Sequence, residues 1–540
     1  MTPVVRRVRN WVYAPVDGVC VALFRVIFGV LMVYGEAIRH QIQYQEVDYR
    51  FRTSPVLISH YLFRISPLPD YFPPEGRGLD VYWWIMSGAA ATLTLGIYTK
   101  TSAALFCILY SIAFFAEQTS YNNHYYLICM ISAAFACIDS DAILSWQKKP
   151  LPSSPSPGIP RWHRGIFQFL MVIVYTYGGI AKLNKDWLRG EPMRSALTLE
   201  PAWMDVPIVR EPVLMFLCYG GLLFDLFVAF GLLYRPTRVL CVPMVLYFHT
   251  MNFFMFTIGV FPFMAAGSTL VFFEGHEVAA GISLVSELVP ILSVRALLLR
   301  VSRMLRSASY VSPPPGRRSK SSFRKKKRGR RVNRRELLVL SALAIFVAFQ
   351  VLFPLRHFVL NSGSGHAVHW NEIGHKFSWH MKLRAKRCSG SFYFGLPDGT
   401  RREIHLANYL TPKQRTRVLD NPDATWIFAR FMKDKLDGNP PIYADIKCGL
   451  NGREPVPFTD PEVDIAASEE ELSFFGSPPF ILDDYGPLDY SSWLFTLDVL
   501  TLCVGAVGVV GLGVAFRVLF PFKYASLVRE RMEFDRMWVV

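Results

Sequence analysis

The sequence predicts a polytopic α-helical membrane protein of about eight to ten transmembrane helices, with an exoplasmic α+β domain inserted before the last helix. Three observations carry that class. Of 540 residues, 52% are hydrophobic. They gather into runs that outlast a soluble core helix. Strand-like alternation around Gly-bearing turns is concentrated in one stretch toward the carboxyl end.

Candidate spans cover roughly 19–38, 81–98, 101–117, 124–143, 164–182, 212–233, 238–256, 257–273, 336–356 and 492–520. Each is near the length that crosses a bilayer. The start, "MTPVVRRVRNWVYAPVDG", carries arginines but no short apolar segment with a small-residue cleavage site, so the first span reads as an uncleaved anchor and residues 1–18 as a cytosolic amino terminus. Counting spans from there puts "SWQKKPLPSSPSPGIPRWHR" and the basic stretch after Arg306 in the cytosol, as the positive-inside rule requires. The organisation expected is a transmembrane helical domain carrying the catalysis (19–300), a basic cytosolic linker (301–335), a helix (336–356), an exoplasmic or lumenal domain (357–491), a C-terminal helix (492–520) and a cytosolic tail (521–540).

The net charge of +16 does not point to nucleic acid. Roughly fifteen basic side chains and no acid lie between Arg300 and Arg335, in a Pro/Ser-rich stretch without interleaved aromatics. That composition suits a solvated, topology-setting loop against anionic membrane lipid.

In the exoplasmic segment, "SFYFGLPDGTRREIHL" alternates around Asp398-Gly399 and "PPIYADIKCGLNGREPVPF" around Asn451-Gly452, both hairpin signals. Between them "NPDATWIFARFMKDKLDG" reads as a helix, with Asn421 as cap, Pro422 in the first turn and Gly438 just past the end. Of nine cysteines, Cys388 and Cys448 are the two that an oxidising compartment would let pair. The sequence holds no metal-ligand cluster and no phosphate-binding glycine loop.

Polar residues at the membrane edge are the candidates for function. Ionisable side chains there are paired, snorkelling or functional. Lys182 closes an apolar run in "GGIAKLNKDW", where it either reaches headgroups and complements the helix dipole or serves a site. Asn122, Asn123 and His124 in "SYNNHYYL" begin another run; capping that helix needs one of them, not three. His249 and Asn252 lie mid-span, three residues apart and so on one helix face, lining a cavity or bonding a neighbouring helix. The span count places Lys182 and the Asn-Asn-His turn at the same membrane face.

"PVDGVCVALFRVIFGVLMV", "TSYNNHYYL", "GGIAKLNKDWLRGEPM", "YFHTMN", "FSWHM", "IYADI" and "TDPEVDI" together resemble the vitamin K-dependent gamma-glutamyl carboxylases, over roughly Pro15 to Asp464. The resemblance implies a membrane enzyme that oxidises vitamin K hydroquinone to the 2,3-epoxide with O2. The strong base so formed deprotonates glutamate gamma carbons, which add CO2 to give gamma-carboxyglutamate. It implies Lys182 as the base toward the hydroquinone and His124 as the assistant at the glutamate. Tyr121, Asn122, Asn123, Gly178, Gly179, Trp187, His249 and Asn252 are the candidate substrate and quinone contacts. No metal or biotin is expected. The partners expected are glutamate-containing secreted or membrane proteins, membrane lipid and a vitamin K recycling reductase in the same membrane. The location expected is the endoplasmic reticulum membrane with the site facing the lumen, or the inner membrane of a bacterium.

The chemistry suits these residues. No side chain is basic enough to take a proton from a glutamate gamma carbon, so the cofactor must generate the base while the protein binds, orients and excludes water. As the initial base Lys182 must be uncharged, which an apolar pocket is expected to achieve. Gly178 and Gly179 would let a quinone ring or another helix approach the backbone. The chain departs from the family pattern at Ala181, where a second lysine is common, at Tyr121, where tryptophan is common, and in a short carboxyl end that leaves propeptide recognition in doubt. Two other readings remain open: a relative that oxygenates quinol without carboxylating protein, and a non-catalytic membrane receptor or chaperone.

Overall fold

The structure is a computed structural model. It describes residues 3–38, 78–116, 121–141, 143–147, 158–196, 207–256, 258–309, 334–361, 367–467 and 478–486. The C-terminal helix expected at 492–520, the tail at 521–540 and most of the expected basic linker and of the segment 39–80 lie outside these residues.

An amphipathic helix, α1 (Pro3–Val12), precedes the apolar helices α2 (Val19–Leu31), α3 (Gly78–Leu95), α4 (Thr99–Ala116), α5 (Asn123–Cys137), α6 (Arg161–Lys182), α7 (Pro207–Leu233) and α8 (Arg238–Met255). Among the described residues, Arg161–Lys182, Glu211–Leu233, Arg235–Met255 and Arg334–Leu360 are long and apolar enough to cross a membrane. Lipid is as apolar as these side chains, so close packing rather than exclusion of water holds the helices together. The rings of Phe24, Phe135 and Phe167 lock α2, α5 and α6, with centroids 4.7 to 5.7 Å apart. Arg25, buried on α2, donates through its two terminal nitrogens to the carbonyls of Ser140 and Leu144 just past α5. At this end of the bundle Asp17 accepts from the backbone N–H of Val19 and of Gly275, both at 2.8 Å. A two-residue ladder, β1 (Pro15–Val16) with β2 (Ile159–Pro160), ties the start of α2 to the start of α6.

The apolar run 257–273 does not form a full span. It yields only α9 (Phe261–Ser268) and a 3-10 turn, Thr269–Phe272. The Phe261 ring at the head of α9 is 6.0 Å from the His249 ring in the body of α8, so α9 starts inside the bundle. Irregular backbone at that depth is tolerated where it lines a cavity, and Phe256 and Ile258 do so. A helical hairpin that hydropathy does not single out follows, α10 (Gly275–Leu288) and α11 (Leu292–Ala308). Residues 301–308, assigned from sequence to the basic linker, are the second half of α11. The chain is next described in α12 (Arg334–Leu352).

The α+β unit follows. Its antiparallel sheet has the order β4-β3-β5-β6, from β3 (Lys386–Gly395), β4 (Arg401–Ile404), β5 (Ile442–Leu450) and β6 (Val456–Pro457). Both expected hairpins form. Gly399, and Asn451 with Gly452, take the positive φ values that such turns need. Helices α13 (Pro412–Asp420) and α14 (Pro422–Lys435) join β4 to β5. Asn421 caps α14 by accepting from the Ala424 N–H at 3.0 Å. Helix α13 was not expected, although Thr411 and Gln414 form its capping box. Phe392 of β3 meets Phe428 of α14 edge to face at 5.2 Å in the centre of this core. Cys388 and Cys448, directly opposite on β3 and β5, form a disulfide.

Candidate active site

A cavity of about 410 Å³ opens where α5, α6, α7 and α8 meet the loop that leads into β3. Its walls are mainly aromatic and methionine side chains. The sequence-singled residues His124, Lys182, Trp187, His249 and Asn252 all line it. Tyr121, Asn122, Asn123, Gly178 and Gly179 are not among its lining residues.

Lys182 is 6% exposed on the last turn of α6. Its Nζ donates to Asp225 Oδ2 of α7, makes a longer contact of 3.4 Å to the Gly178 carbonyl, and lies 5.2 Å from the centroid of the Trp187 ring. The amine is therefore not held by apolar surroundings alone, as the sequence reading supposes; a buried carboxylate, 3% exposed, is its partner. Asp225 is missing from the residues that the sequence reading singles out. The signal was there, since a carboxylate inside "GGLLFDLFVAF" carries the same cost in lipid as Lys182.

The two glycines explain how the pair meets. A Cβ at Gly179 would come within 2.9 Å of the Leu226 backbone nitrogen, and one at Gly178 within 3.2 Å of Asp225 Oδ2. Of the two approaches expected at these positions, the structure has the neighbouring helix. Trp187 belongs to a single turn, Lys185–Leu188, capped by Asn184, and its indole N–H donates to the Cys218 carbonyl at 2.9 Å.

The Asn-Asn-His trio divides into three tasks. Asn122 Oδ1 caps α5 by accepting from the His124 N–H at 3.0 Å. Asn123 accepts from the Tyr121 hydroxyl at 2.8 Å and donates to the His380 carbonyl at 3.0 Å. Tyr121 in turn accepts from the Phe377 N–H at 2.6 Å. These bonds fasten the "FSWHM" loop over α5, which brings Met381 and Lys382 onto the cavity. His124 alone of the three reaches the cavity, its ring stacked on Phe261 at 3.8 Å. His249 is hydrogen-bonded through Nε2 to Tyr175 Oη at 2.8 Å. Among the described residues, His124 Nδ1 and His249 Nδ1 are buried without a hydrogen-bond partner.

The α+β unit is clamped beside the site. Asp186, next to Trp187, accepts from Arg453 Nη1 at 2.8 Å, from Arg453 Nη2 at 2.9 Å and from Asn451 Nδ2 at 2.8 Å. A charge-assisted, bidentate bond of this kind fixes orientation as well as distance.

These features define an integral membrane protein whose intramembrane cavity carries a lysine–aspartate pair and two histidines beneath a folded α+β unit. The HTTM domain family model matches residues 13–276, and that of the vitamin K-dependent gamma-carboxylase lumenal domain matches residues 335–485. The chain belongs to the vitamin K-dependent gamma-carboxylase family. No solved structure matches it.

Proposed function

We propose that the protein is a peptidyl-glutamate gamma-carboxylase coupled to oxidation of vitamin K hydroquinone. The observation that carries this reading is the Lys182 amine in the wall of a mainly apolar cavity that His124 and His249 share. The volume falls within the range of small-molecule sites. Between α7 and α8 the cavity is bordered by Phe216, Phe227 and Tyr247, all more than half exposed on the outer surface of the bundle. A prenylated quinone dissolved in lipid would enter there without crossing water.

The quinol, when bound, would supply through its oxygenation the strong base that no side chain can be, with the epoxide as its end product. The protein's own tasks are narrower. Lys182 takes the hydroquinone proton, Trp187 and the phenylalanines hold the ring, and His124 with Asn252 addresses the glutamate carboxylate and the carbon dioxide. The "FSWHM" loop keeps water from the cavity, which strengthens every electrostatic contact inside it. The remaining candidates act indirectly: Tyr121, Asn122 and Asn123 set the loop and α5, and Gly178 and Gly179 set α7 against α6. The partners are glutamate-bearing proteins of the secretory route, with a quinone-reducing enzyme in the same membrane. The site faces the lumen of the endoplasmic reticulum, or the periplasm in a bacterium.

The test is to incubate the purified protein with vitamin K hydroquinone, labelled carbon dioxide and a glutamate peptide, scoring label and epoxide separately. Both products are expected. Lys182→Ala should remove both, and His124→Ala should lower carboxylation more than epoxide. Epoxide without label would assign quinol oxygenation alone, and neither product from folded protein would sink the enzymatic reading.

A further inference from the structure

The base assigned to Lys182 meets a difficulty in its own partner. An ammonium has no lone pair, so a lysine in an ion pair accepts a proton only after giving one up. Among the described residues, its Nζ has two acceptors in reach, the Gly178 carbonyl and Asp225 Oδ2. A peptide carbonyl cannot hold the proton; a carboxylate can. Asp225 is also the one carboxylate among the residues lining the cavity. The other titratable groups on that lining are His124, Tyr175, Tyr247, His249 and Lys382, and none has a hydrogen bond to Nζ.

We propose that Asp225 is the proton acceptor of the site, taking up through Lys182 the proton removed from the hydroquinone. This rests on the functional reading above. The quinol O–H bond breaks and its electron pair stays on the quinol oxygen. That proton joins Nζ while one Nζ proton passes to Asp225 Oδ2, giving ammonium, carboxylic acid and quinol anion from ammonium, carboxylate and quinol. Charge is unchanged at zero, and no oxidant or reductant is consumed. Lys182 keeps its positive charge beside the new anion throughout, where little water competes. Asp225 is a positioning and proton-holding residue rather than a group in contact with the reacting atoms. Gly178 belongs to the same device, because a Cβ there would press on Oδ2.

The alternative is that Asp225 only restrains the lysine. Removing its charge would then free a neutral amine in an apolar cavity and leave a working base. The two ideas predict opposite results for Asp225→Asn. Full-length wild type, Asp225→Asn, Asp225→Glu and Lys182→Met are compared in lipid vesicles. The readouts are epoxide formation over a range of hydroquinone concentrations and acetylation of Lys182 by acetic anhydride, followed by mass spectrometry. We expect Asp225→Asn to lower kcat by about 100-fold or more, the scale of a lost proton-transfer group, with KM changed less than about threefold. Asp225→Glu should restore at least about a tenth of the wild-type rate. Wild-type Lys182 should acetylate at least about tenfold more slowly than exposed lysines, since a neutral amine is the nucleophile.

Epoxide formation by Asp225→Asn within about threefold of wild type would overturn the proposal. So would acetylation of wild-type Lys182 as fast as that of exposed lysines, a readout that needs neither turnover nor a folded Asn variant. Failure of the functional reading looks different: wild type makes no epoxide, or Lys182→Met makes it normally, whatever the acetylation shows.

Discussion

Among the described residues, two lysine–aspartate pairs are buried to the same depth. Lys182–Asp225 lies between α6 and α7, and Lys376–Asp423 joins the loop before β3 to the first turn of α14; in both, the side chains are 7% and 4% exposed. Burial and pairing therefore do not separate a site from a brace. The surroundings do. Asp423 sits where a helix N-terminus favours an anion, beside the capping residue Asn421, in a packed core. Asp225 sits mid-helix, where no terminus stabilises it, and its partner faces empty volume. The Lys376–Asp423 pair braces a packed core; Lys182–Asp225 joins two helices at the wall of a cavity, which is where the proposed site lies.

The largest expected effect breaks or makes that contrast. Lys182→Met should abolish epoxide formation, by about 1,000-fold or more if proton removal is its task, and should also lower the denaturation temperature, because Asp225 is buried as deeply as Asp423 and loses its lysine too. Lys376→Met should carry the stability cost alone, taking the lysine from the buried Asp423 at a cost of about 3–5 kcal/mol with turnover per folded molecule unchanged. Epoxide assays on the monomeric fraction, beside calorimetry, measure both. Equal loss of turnover in the two variants would erase the distinction drawn here.

A second comparison is between the two sides of the domain junction. Arg453→Met removes the bidentate bond to Asp186, and the consequence should appear one residue further on, at Trp187 in the cavity wall. KM for hydroquinone should rise by about tenfold, the worth of one charge-assisted bond at roughly 1.5 kcal/mol, with kcat little altered. An unchanged KM would mean that the α+β unit and the cavity work independently. Neither cysteine of the disulfide lines the cavity. Cys388 and Cys448 are 60 residues apart in sequence, and replacing both by serine should cost about 2–4 kcal/mol, seen as earlier melting of the α+β unit without a change in KM.

How much of this is legible in the sequence depends on the range of the interaction. Hairpins at Asp398-Gly399 and Asn451-Gly452 and the cap at Asn421 are local, and each is where its residues predict. His249 and Asn252 reach the cavity together because three-residue spacing fixes a helix face. Asp225 is legible as a costly carboxylate in an apolar run, but its pairing with Lys182 is not, because that partner is 43 residues away on another helix; periodicity says which face a residue takes, not which helix meets it. The Asn-Asn-His turn shows the same limit, since adjacent residues with similar chemistry point to a cap, a loop and a cavity. The run at 257–273 is apolar throughout its middle, yet composition cannot report that its first residues are spent lining the cavity rather than continuing a helix.

The smallest effect concerns a third lysine, which shows what loss of water does where no ligand is involved. Lys386 of β3 donates to the carbonyls of Trp370 and Asp420, both at 2.7 Å, with Nζ 3.7 Å from the centroid of the Phe458 ring. Desolvation pushes this amine down to about 7, against the opposing pull of the Glu372 and Asp420 carboxylates. In the unfolded chain it would titrate near its ordinary 10.5. Between those two values the unfolded chain holds a proton at this position that the folded one has released, so stability rises with pH across that window and is flat below it. The slope is at most about 1.4 kcal/mol per pH unit. Calorimetry of the full chain from pH 7 to 9 should show the α+β transition moving upward, and Lys386→Met should flatten that rise. A wild-type transition that falls over the same range would mean that Lys386 stays charged inside the fold, and that a backbone cradle, without a carboxylate in direct contact, is enough to keep a buried ammonium.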